Sequence, residues 1–158
     1  MSENLFYSFD ARLRATRADE NAEALPWEMA AGIIAKNSEF GAADESTHRD
    51  THVTSFVYGV SENDRPGRDG LDLFDFIPAH GEKVRRPTTY GGLSGGAVWA
   101  LGDTPSFTDR ILKGIVFHES DADEGGHRRL ICHGPKCLYR TLPEAIRQRF
   151  PSEFNIDA

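Results

Sequence analysis

Cysteine is scarce in this chain: among 158 residues there are only two, Cys132 and Cys137. Small secreted domains that depend on disulfides normally carry more, so the sequence predicts a reducing compartment and two buried thiols. A disulfide across the turn between them, or a metal cluster that includes His133, is less favoured. Zinc sites usually add a second ligand pair at a distance, which is not evident here. We therefore expect no metal and no cofactor.

Long apolar runs are also lacking. No run approaches the roughly 20 residues that a membrane helix requires. The first residues, Met1–Asn4, form neither the basic segment nor the apolar core of a signal peptide. These two features predict that no segment spans a membrane and that the protein is cytoplasmic.

Basic residues are in the minority, with 18 Lys and Arg against 25 Asp and Glu and a net charge of -7. Nucleic acid is not expected as a partner, because its phosphates usually require a basic face. A length of 158 residues with 39% hydrophobic content suits one ordinary domain over residues 1–158.

The most informative feature present is a serine bracketed by glycines, Gly91-Gly92-Leu93-Ser94-Gly95-Gly96. Glycine allows sharp turns and lets a substrate carbonyl approach the main chain. The block fits both G-x-S-x-G and G-x-S-G-G. The first pattern needs a strand before the serine and a helix after it. Here the flanks indicate a loop before the serine and a short strand, Ala97–Leu101, after it, which favours the second pattern.

Alternation of apolar and polar residues, or a high β-branched and aromatic content, predicts strands along the whole chain. Clusters of turn-forming residues at Ser61–Gly70 and Asp121–Gly126 predict loops, the second joining two strands as a hairpin. Pro26–Lys36 has proline at a helix start and helical spacing, although Gly32 leaves a strand possible. The predicted strands are Leu5–Arg14, His52–Val60, Leu71–Ile77, Ala97–Leu101, Arg110–Phe117 and Arg128–Lys136.

A closing helix is predicted over residues 141–150. Thr141 is the expected N-cap and Glu144 completes a capping box, while Leu142, Ile146 and Phe150 recur every four residues. The elements together predict a mainly β fold, an antiparallel six-stranded barrel with a C-terminal α-helix.

The serine motif and the segment Leu112-Lys113-Gly114-Ile115-Val116 together resemble chymotrypsin-fold serine peptidases, which follow the serine strand with a partner of the form L-x-G-I-V. The resemblance covers about the last 75 residues, the C-terminal half of a trypsin-like enzyme. More narrowly, the chain is similar to bacterial trypsin-like proteins of unassigned function. The family uses two barrels, and the residues before Ser94 leave no room for the first.

This resemblance implies roles for individual residues. Ser94 would be the nucleophile, with an oxyanion hole of backbone N–H groups along Gly92, Leu93 and Ser94, above all those of Gly92 and Ser94. The pocket that selects the substrate side chain would be lined by Phe117, His118, Glu119 and Ser120. Glu119 would then favour a basic side chain.

A catalytic base is the missing part, because serine needs an imidazole oriented by a carboxylate. The family's strand-end T-A-A-H motif is absent, which leaves His48 and His80 as candidate bases. Histidines after the serine, with Asp121 or Asp123, would fit only the chain order of α/β-hydrolases.

Three hypotheses follow. The chain is the serine-bearing part of a peptidase whose histidine and aspartate come from a missing N-terminal segment or a partner chain, and it is inactive alone. Alternatively, it is a catalytically inactive peptidase-like domain that binds a peptide or protein. The third hypothesis, ranked last, is a complete small hydrolase that uses His48 or His80.

Overall fold

The computed structural model describes residues 25, 27–34, 39–40, 50–51, 54–81, 87–102 and 110–151. A single 3-10 turn covers Arg68–Gly70, a π-helical turn covers Cys137–Thr141, and helix α1 follows at Leu142–Arg149. The strands, in chain order, are β1 (Trp27–Ile33), β2 (Glu39–Phe40), β3 (Asp50–Thr51), β4 (Thr54–Pro66), β5 (Asp72–Pro78), β6 (Ala97–Leu101), β7 (Arg110–Glu119) and β8 (Leu130–His133).

Six strands close into an antiparallel barrel in the order β1, β4, β5, β8, β7, β6, while β2 and β3 pair separately. The first three barrel strands form one meander and the last three form another. Two seams join the meanders, with Trp27 opposite Leu101 and Leu73 opposite His133. The predicted fold class, a six-stranded antiparallel barrel with a C-terminal helix, is confirmed. This barrel is compatible with one half of a chymotrypsin-like double barrel.

The barrel interior is filled by alternate residues of each strand, because successive side chains point to opposite faces. Phe74 and Phe76 of β5 are almost fully buried. They share one core with Ala30, Ile34, Val57, Tyr90, Leu93, Val98, Val116, Leu130 and Cys132. Gly114 lies against this core so closely that a Cβ there would be 2.5 Å from the Phe74 ring. Only glycine lets β7 approach the ring in this way.

The π-helical turn and α1 together form the C-terminal helical segment, Cys137–Arg149. The start of this segment is capped by a residue of a distant strand. The Asp72 carboxylate of β5 accepts hydrogen bonds from the backbone N–H of Lys136 at 2.9 Å and of Cys137 at 2.6 Å. The predicted capping box is wrong: Thr141 has helical φ and ψ and makes no capping hydrogen bond. Because the helical run begins before Thr141, its first free N–H groups lie several residues earlier.

The helical segment packs on the outside of the barrel, but not through the predicted apolar stripe, since Leu142 and Phe150 are nearly half exposed. Leu138 and Tyr139 are buried against Leu112 and Ile115 of β7. The Tyr139 hydroxyl donates a hydrogen bond to the Leu112 carbonyl at 2.6 Å. Within the described residues, no helix is long and apolar enough to cross a membrane.

Two segments differ from the sequence-based prediction. Pro26–Lys36 was expected as a helix with a strand as the alternative, and Trp27–Ile33 is a strand because it pairs on both sides, with β4 and β6. Ser61–Gly70 was expected to be a loop. Strand β4 instead continues to Pro66, with a register shift between Glu62 and Arg65 that absorbs the polar residues.

Other predicted elements are confirmed with small changes of boundary. The hairpin over Asp121–Gly126 joins β7 to β8, and β6 covers Ala97–Leu101 as predicted. The strand expected over Arg128–Lys136 is confined to Leu130–His133. The strand predicted at Leu5–Arg14 lies outside the described residues.

Candidate functional site

Ser94 is presented at the tip of a tight turn that leads into β6. The Leu93 N–H donates to the Tyr90 carbonyl at 3.0 Å, and the Gly96 N–H donates to the Leu93 carbonyl at 2.8 Å. Gly95 has φ of +85, a conformation that side chains with a Cβ rarely adopt. The Leu93 side chain is only 1% exposed, so it anchors the turn in the core, while Ser94 is exposed.

Hydrogen bonds to strand β7 fix the position of the turn. The Gly95 N–H donates to the Val116 carbonyl, and the Val116 N–H donates to the Gly96 carbonyl, each at 2.8 Å. The Ser94 hydroxyl donates to the Phe117 carbonyl at 2.9 Å. Phe117 is an extra residue in the pairing with β8, where Val116 faces Cys132 and His118 faces Ile131. This bulge leaves the Phe117 carbonyl available to Ser94.

The backbone amides around Ser94 divide into two groups. Those of Leu93, Gly95 and Gly96 are engaged by carbonyls of the turn and of β7. Those of Gly92 and Ser94 have no backbone acceptor within the part of the chain that the structure describes. The Gly92 and Ser94 amides therefore remain the candidates for an oxyanion hole, whereas the Leu93 amide is already occupied.

Glu119, a predicted pocket residue, has a structural set of contacts. Its carboxylate accepts hydrogen bonds from Oγ1 of Thr89 at 2.8 Å and from the backbone N–H of Tyr90 at 3.0 Å. The Arg128 Nε lies 3.5 Å from the same carboxylate. These contacts tie the end of β7 to the start of the serine turn, and they already balance the charge that was expected to attract a basic substrate side chain.

The other three predicted pocket residues lie on the same stretch of chain. Phe117 is 52% exposed, and its ring centroid lies 5.0 Å from that of His133. His118 is exposed. The Ser120 hydroxyl donates to the Asp121 carbonyl and accepts from the Arg129 N–H, each at 2.9 Å. Phe117 and His118 are thus accessible near the Ser94 turn, while Ser120 fastens the hairpin.

Of the two candidate bases, the structure describes His80 but not His48. His80 lies with its Nε2 2.5 Å from the Tyr90 hydroxyl, and the two rings are stacked. His48 lies outside the described residues. The Ser94 hydroxyl donates to the Phe117 carbonyl, and within the described residues no imidazole contacts that hydroxyl.

A cavity of about 300 Å³ adjoins the serine turn. We call it the arginine cavity. Its walls come from the end of β5, the segment before the serine and the β7–β8 hairpin. They consist of Ile77, Pro78, His80, Pro87, Tyr90, Asp123, Gly126, His127, Arg128 and Arg129. The sequence analysis did not identify this cavity, since it joins residues about 50 positions apart whose proximity depends on the barrel.

The remaining candidates for reactivity or metal binding among the described residues are the cysteines and the acidic side chains. Burial raises the pKa of the Cys132 thiol to about 12 and, to a smaller extent, raises that of Cys137. No disulfide links them. In the described ranges, no three His, Cys, Asp or Glu side chains come together in a group suited to a metal ion.

Comparisons of the chain with protein-family models, with curated proteins and with solved structures find no match. The resemblance to serine peptidases therefore depends on the serine motif and the strand that follows it, and the closed six-stranded barrel is compatible with it.

Proposed function

We propose that this chain is the nucleophile-bearing barrel of a chymotrypsin-like serine peptidase, which hydrolyses peptide bonds through Ser94 when a histidine and an aspartate come from a further segment or a partner chain. One observation carries the proposal: Ser94 is exposed on a glycine turn, and the amides of Gly92 and Ser94 have no backbone acceptor among the described residues. An accessible hydroxyl beside unpaired amides is what acyl transfer requires.

The chemistry would proceed through an acyl-enzyme. The Ser94 Oγ attacks the scissile carbonyl carbon while an imidazole takes its proton, and the carbonyl oxygen becomes an oxyanion facing the Gly92 and Ser94 amides. The intermediate collapses as the imidazolium returns the proton to the leaving amine. Water then attacks the ester by the same route, releasing the acid and restoring the hydroxyl.

The base is expected from outside the described residues. The Ser94 hydroxyl donates to the Phe117 carbonyl rather than to an imidazole, and the His80 Nε2 is engaged with the Tyr90 hydroxyl. The sequence also lacks the strand-end histidine motif of the family. We expect the chain alone not to hydrolyse peptides, because an unassisted serine hydroxyl is a weak nucleophile.

An exposed apolar surface supports a binding partner. Trp27 of β1 and Phe56, Tyr58 and Val60 of β4 are each more than half exposed. Neighbouring large apolar side chains on a domain surface are typical of an interface. The partner that supplies the histidine and aspartate would need such a surface.

A fluorophosphonate probe tests the proposal, because a serine hydroxyl displaces its fluoride once a base removes the proton. The full chain is incubated with the probe, with and without excess imidazole as a substitute base. We expect imidazole-dependent labelling of Ser94 and none of Ser94→Ala. Ser61→Ala is the matched control, because its hydroxyl is engaged with Glu28 elsewhere in the barrel. Folded wild-type protein that stays unlabelled in both conditions would overturn the proposal.

The second candidate is a peptide-binding domain without catalysis. It is favoured by the hydrogen bond from the Ser94 hydroxyl to the Phe117 carbonyl, which gives the serine a structural role in fixing the turn to β7. In that case the folded wild-type protein binds a peptide, and the serine is not labelled even with imidazole present.

A further inference from the structure

We propose that the arginine cavity receives an acidic side chain of the peptide that binds at Ser94. This inference depends on the proposed function for the identity of the ligand, a peptide. It reverses the preference expected from Glu119, since two arginines line the cavity and the Glu119 carboxylate is already engaged by Thr89, Tyr90 and Arg128.

The position of the cavity connects it to the serine. Tyr90 lines the cavity, and its carbonyl accepts the hydrogen bond from Leu93 that forms the serine turn. Tyr90 and Ser94 are four residues apart, so their Cα atoms lie within about 14 Å. An extended peptide advances about 3.3 Å per residue, which brings a side chain a few positions from the reacting bond to the cavity.

The charge of the lining favours an anion. Arg128 and Arg129 contribute two guanidinium groups, and Asp123 contributes the one carboxylate. That carboxylate is directed into its own turn, because Asp123 accepts hydrogen bonds from the backbone N–H of Gly125 at 2.9 Å and of His127 at 2.8 Å. Each guanidinium also lies 3.5 Å from a carboxylate outside the lining, Glu119 or Asp75, so an entering anion would be recognised by the N–H donors that these pairs leave over.

The contacts that fix the two arginines use only some of their guanidinium N–H donors. Arg128 donates from Nη1 to the Ser120 carbonyl at 3.1 Å and lies 3.5 Å from Glu119, while Arg129 lies 3.5 Å from Asp75. A guanidinium carries five N–H donors in a planar fork, more than these contacts use. The fork matches the two oxygens of a carboxylate.

The remaining walls suit the rest of such a side chain. Ile77, Pro78 and Pro87 offer apolar surface to a short methylene stem. The Tyr90 hydroxyl and His80 are already paired with each other at 2.5 Å, so they stand fixed at the wall. A volume of about 300 Å³ is at the lower end for ligand pockets and suits one side chain rather than a large cofactor.

Binding of labelled peptides tests the inference separately from catalysis. Blocked fluorescent peptides that differ only in Glu, Gln or Lys at one position are titrated into the full-length Ser94→Ala variant by anisotropy, and the position is moved along the peptide. We expect the Glu peptide to bind about tenfold more tightly than the Gln peptide at one position, a difference of about 1.4 kcal/mol, because Gln cannot form the charge-assisted hydrogen bond. The Lys peptide should bind most weakly.

Variants assign the preference to the cavity. In Arg128→Gln and Arg129→Gln the preference for Glu over Gln should fall to about twofold or less, which corresponds to loss of most of one charged hydrogen bond. Arg140→Gln is the matched control, because Arg140 is exposed and, among the described residues, pairs with Glu144 on the helical segment. Melting temperatures show whether each variant is folded, and Arg128→Lys keeps the charge if the glutamine variant unfolds.

The outcomes separate the two proposals. Equal binding of Glu and Lys peptides, or an unchanged preference in both arginine variants, overturns the acidic specificity. So does binding of free phosphate or glutarate that depends on the arginines when no peptide binds. An arginine-dependent preference for Glu without any probe labelling of Ser94 overturns the peptidase and leaves the acidic cavity in place.

Discussion

The backbone N–H of Tyr90 donates to the Glu119 carboxylate at 3.0 Å, which fixes the start of the serine turn to the end of β7. Thr89 donates to the other carboxylate oxygen. One side chain therefore holds two consecutive residues of the loop that carries Ser94. The resemblance suggested contact with substrate, whereas these hydrogen bonds give Glu119 a positioning role.

Replacement of Glu119 should loosen the serine turn. In Glu119→Ala the Tyr90 N–H and the Thr89 hydroxyl lose their acceptor, and an unpaired buried donor costs about 1–3 kcal/mol. The free energy of unfolding, measured in urea, should fall by that amount. Glu124→Ala is the control: Glu124 is exposed in the hairpin, and its removal should change stability by less than about 0.5 kcal/mol. Equal losses in the two variants would contradict the positioning role.

The Asp72 cap should be required for the helical segment. Asp72→Ala leaves the N–H groups of Lys136 and Cys137 without their acceptor, and loss of an N-cap costs about 1–2 kcal/mol. Gly134→Ala should have a similar effect, because its Cβ would lie 2.4 Å from the Asp72 carboxylate. Urea denaturation measures both losses. Asp64→Ala serves as an exposed control, and amide exchange that stays slow in the helical segment of Asp72→Ala would contradict the cap.

The cysteines should be unreactive in the native protein. A thiol with a pKa of about 12 is a thiolate in only about one molecule in ten thousand at pH 8. Cys132 is fully buried, and the pKa of Cys137 is also raised by burial. Ellman's reagent should therefore label neither thiol quickly before urea is added and both afterwards. Single alanine variants assign the signal, and fast labelling of Cys132 in native buffer would refute the assignment of its environment.

Ionisation of the Cys132 thiol should lower the stability of the fold at alkaline pH. The pKa of Cys132 rises from an ordinary 9.0 to about 12 on folding, so the unfolded chain loses this proton first as the pH increases. The contribution of this thiol to the free energy of unfolding is fully present below about pH 9. It declines by about 1.4 kcal/mol per pH unit towards pH 12. Denaturation midpoints over this range should fall more steeply for the wild type than for Cys132→Ala. Parallel slopes would show that another group is responsible.

Local pattern was enough to predict the elements whose sequence matches their environment. Strand β6 and the hairpin over Asp121–Gly126 follow from alternation and turn residues. The helix or strand ambiguity at Pro26–Lys36 could not be resolved locally, because β1 is fixed by neighbours on both sides. In β4 the polar residues up to Pro66 form a bulged strand end rather than a loop, and pairing with β5 decides this.

For the site, the sequence predicted the exposed serine and its glycine turn but not what surrounds them. The bulge at Phe117 changes the alternation of β7, so neither the bond from Ser94 to the Phe117 carbonyl nor the direction of Glu119 follows from strand period alone. Arg128 reaches Glu119 through the pairing of β7 with β8. Contacts of this kind depend on register, which a single sequence does not specify.

The seams between the two meanders have a consequence for synthesis on the ribosome. Trp27 can pair with Leu101, and Leu73 with His133, only after the second meander has left the exit tunnel. Until then the barrel is not closed, so Phe74 and Phe76 cannot reach the burial that they have in the folded protein. Until the second meander has emerged, the outer edges of β1 and β5 are therefore unpaired, and chaperone binding competes with aggregation during this period.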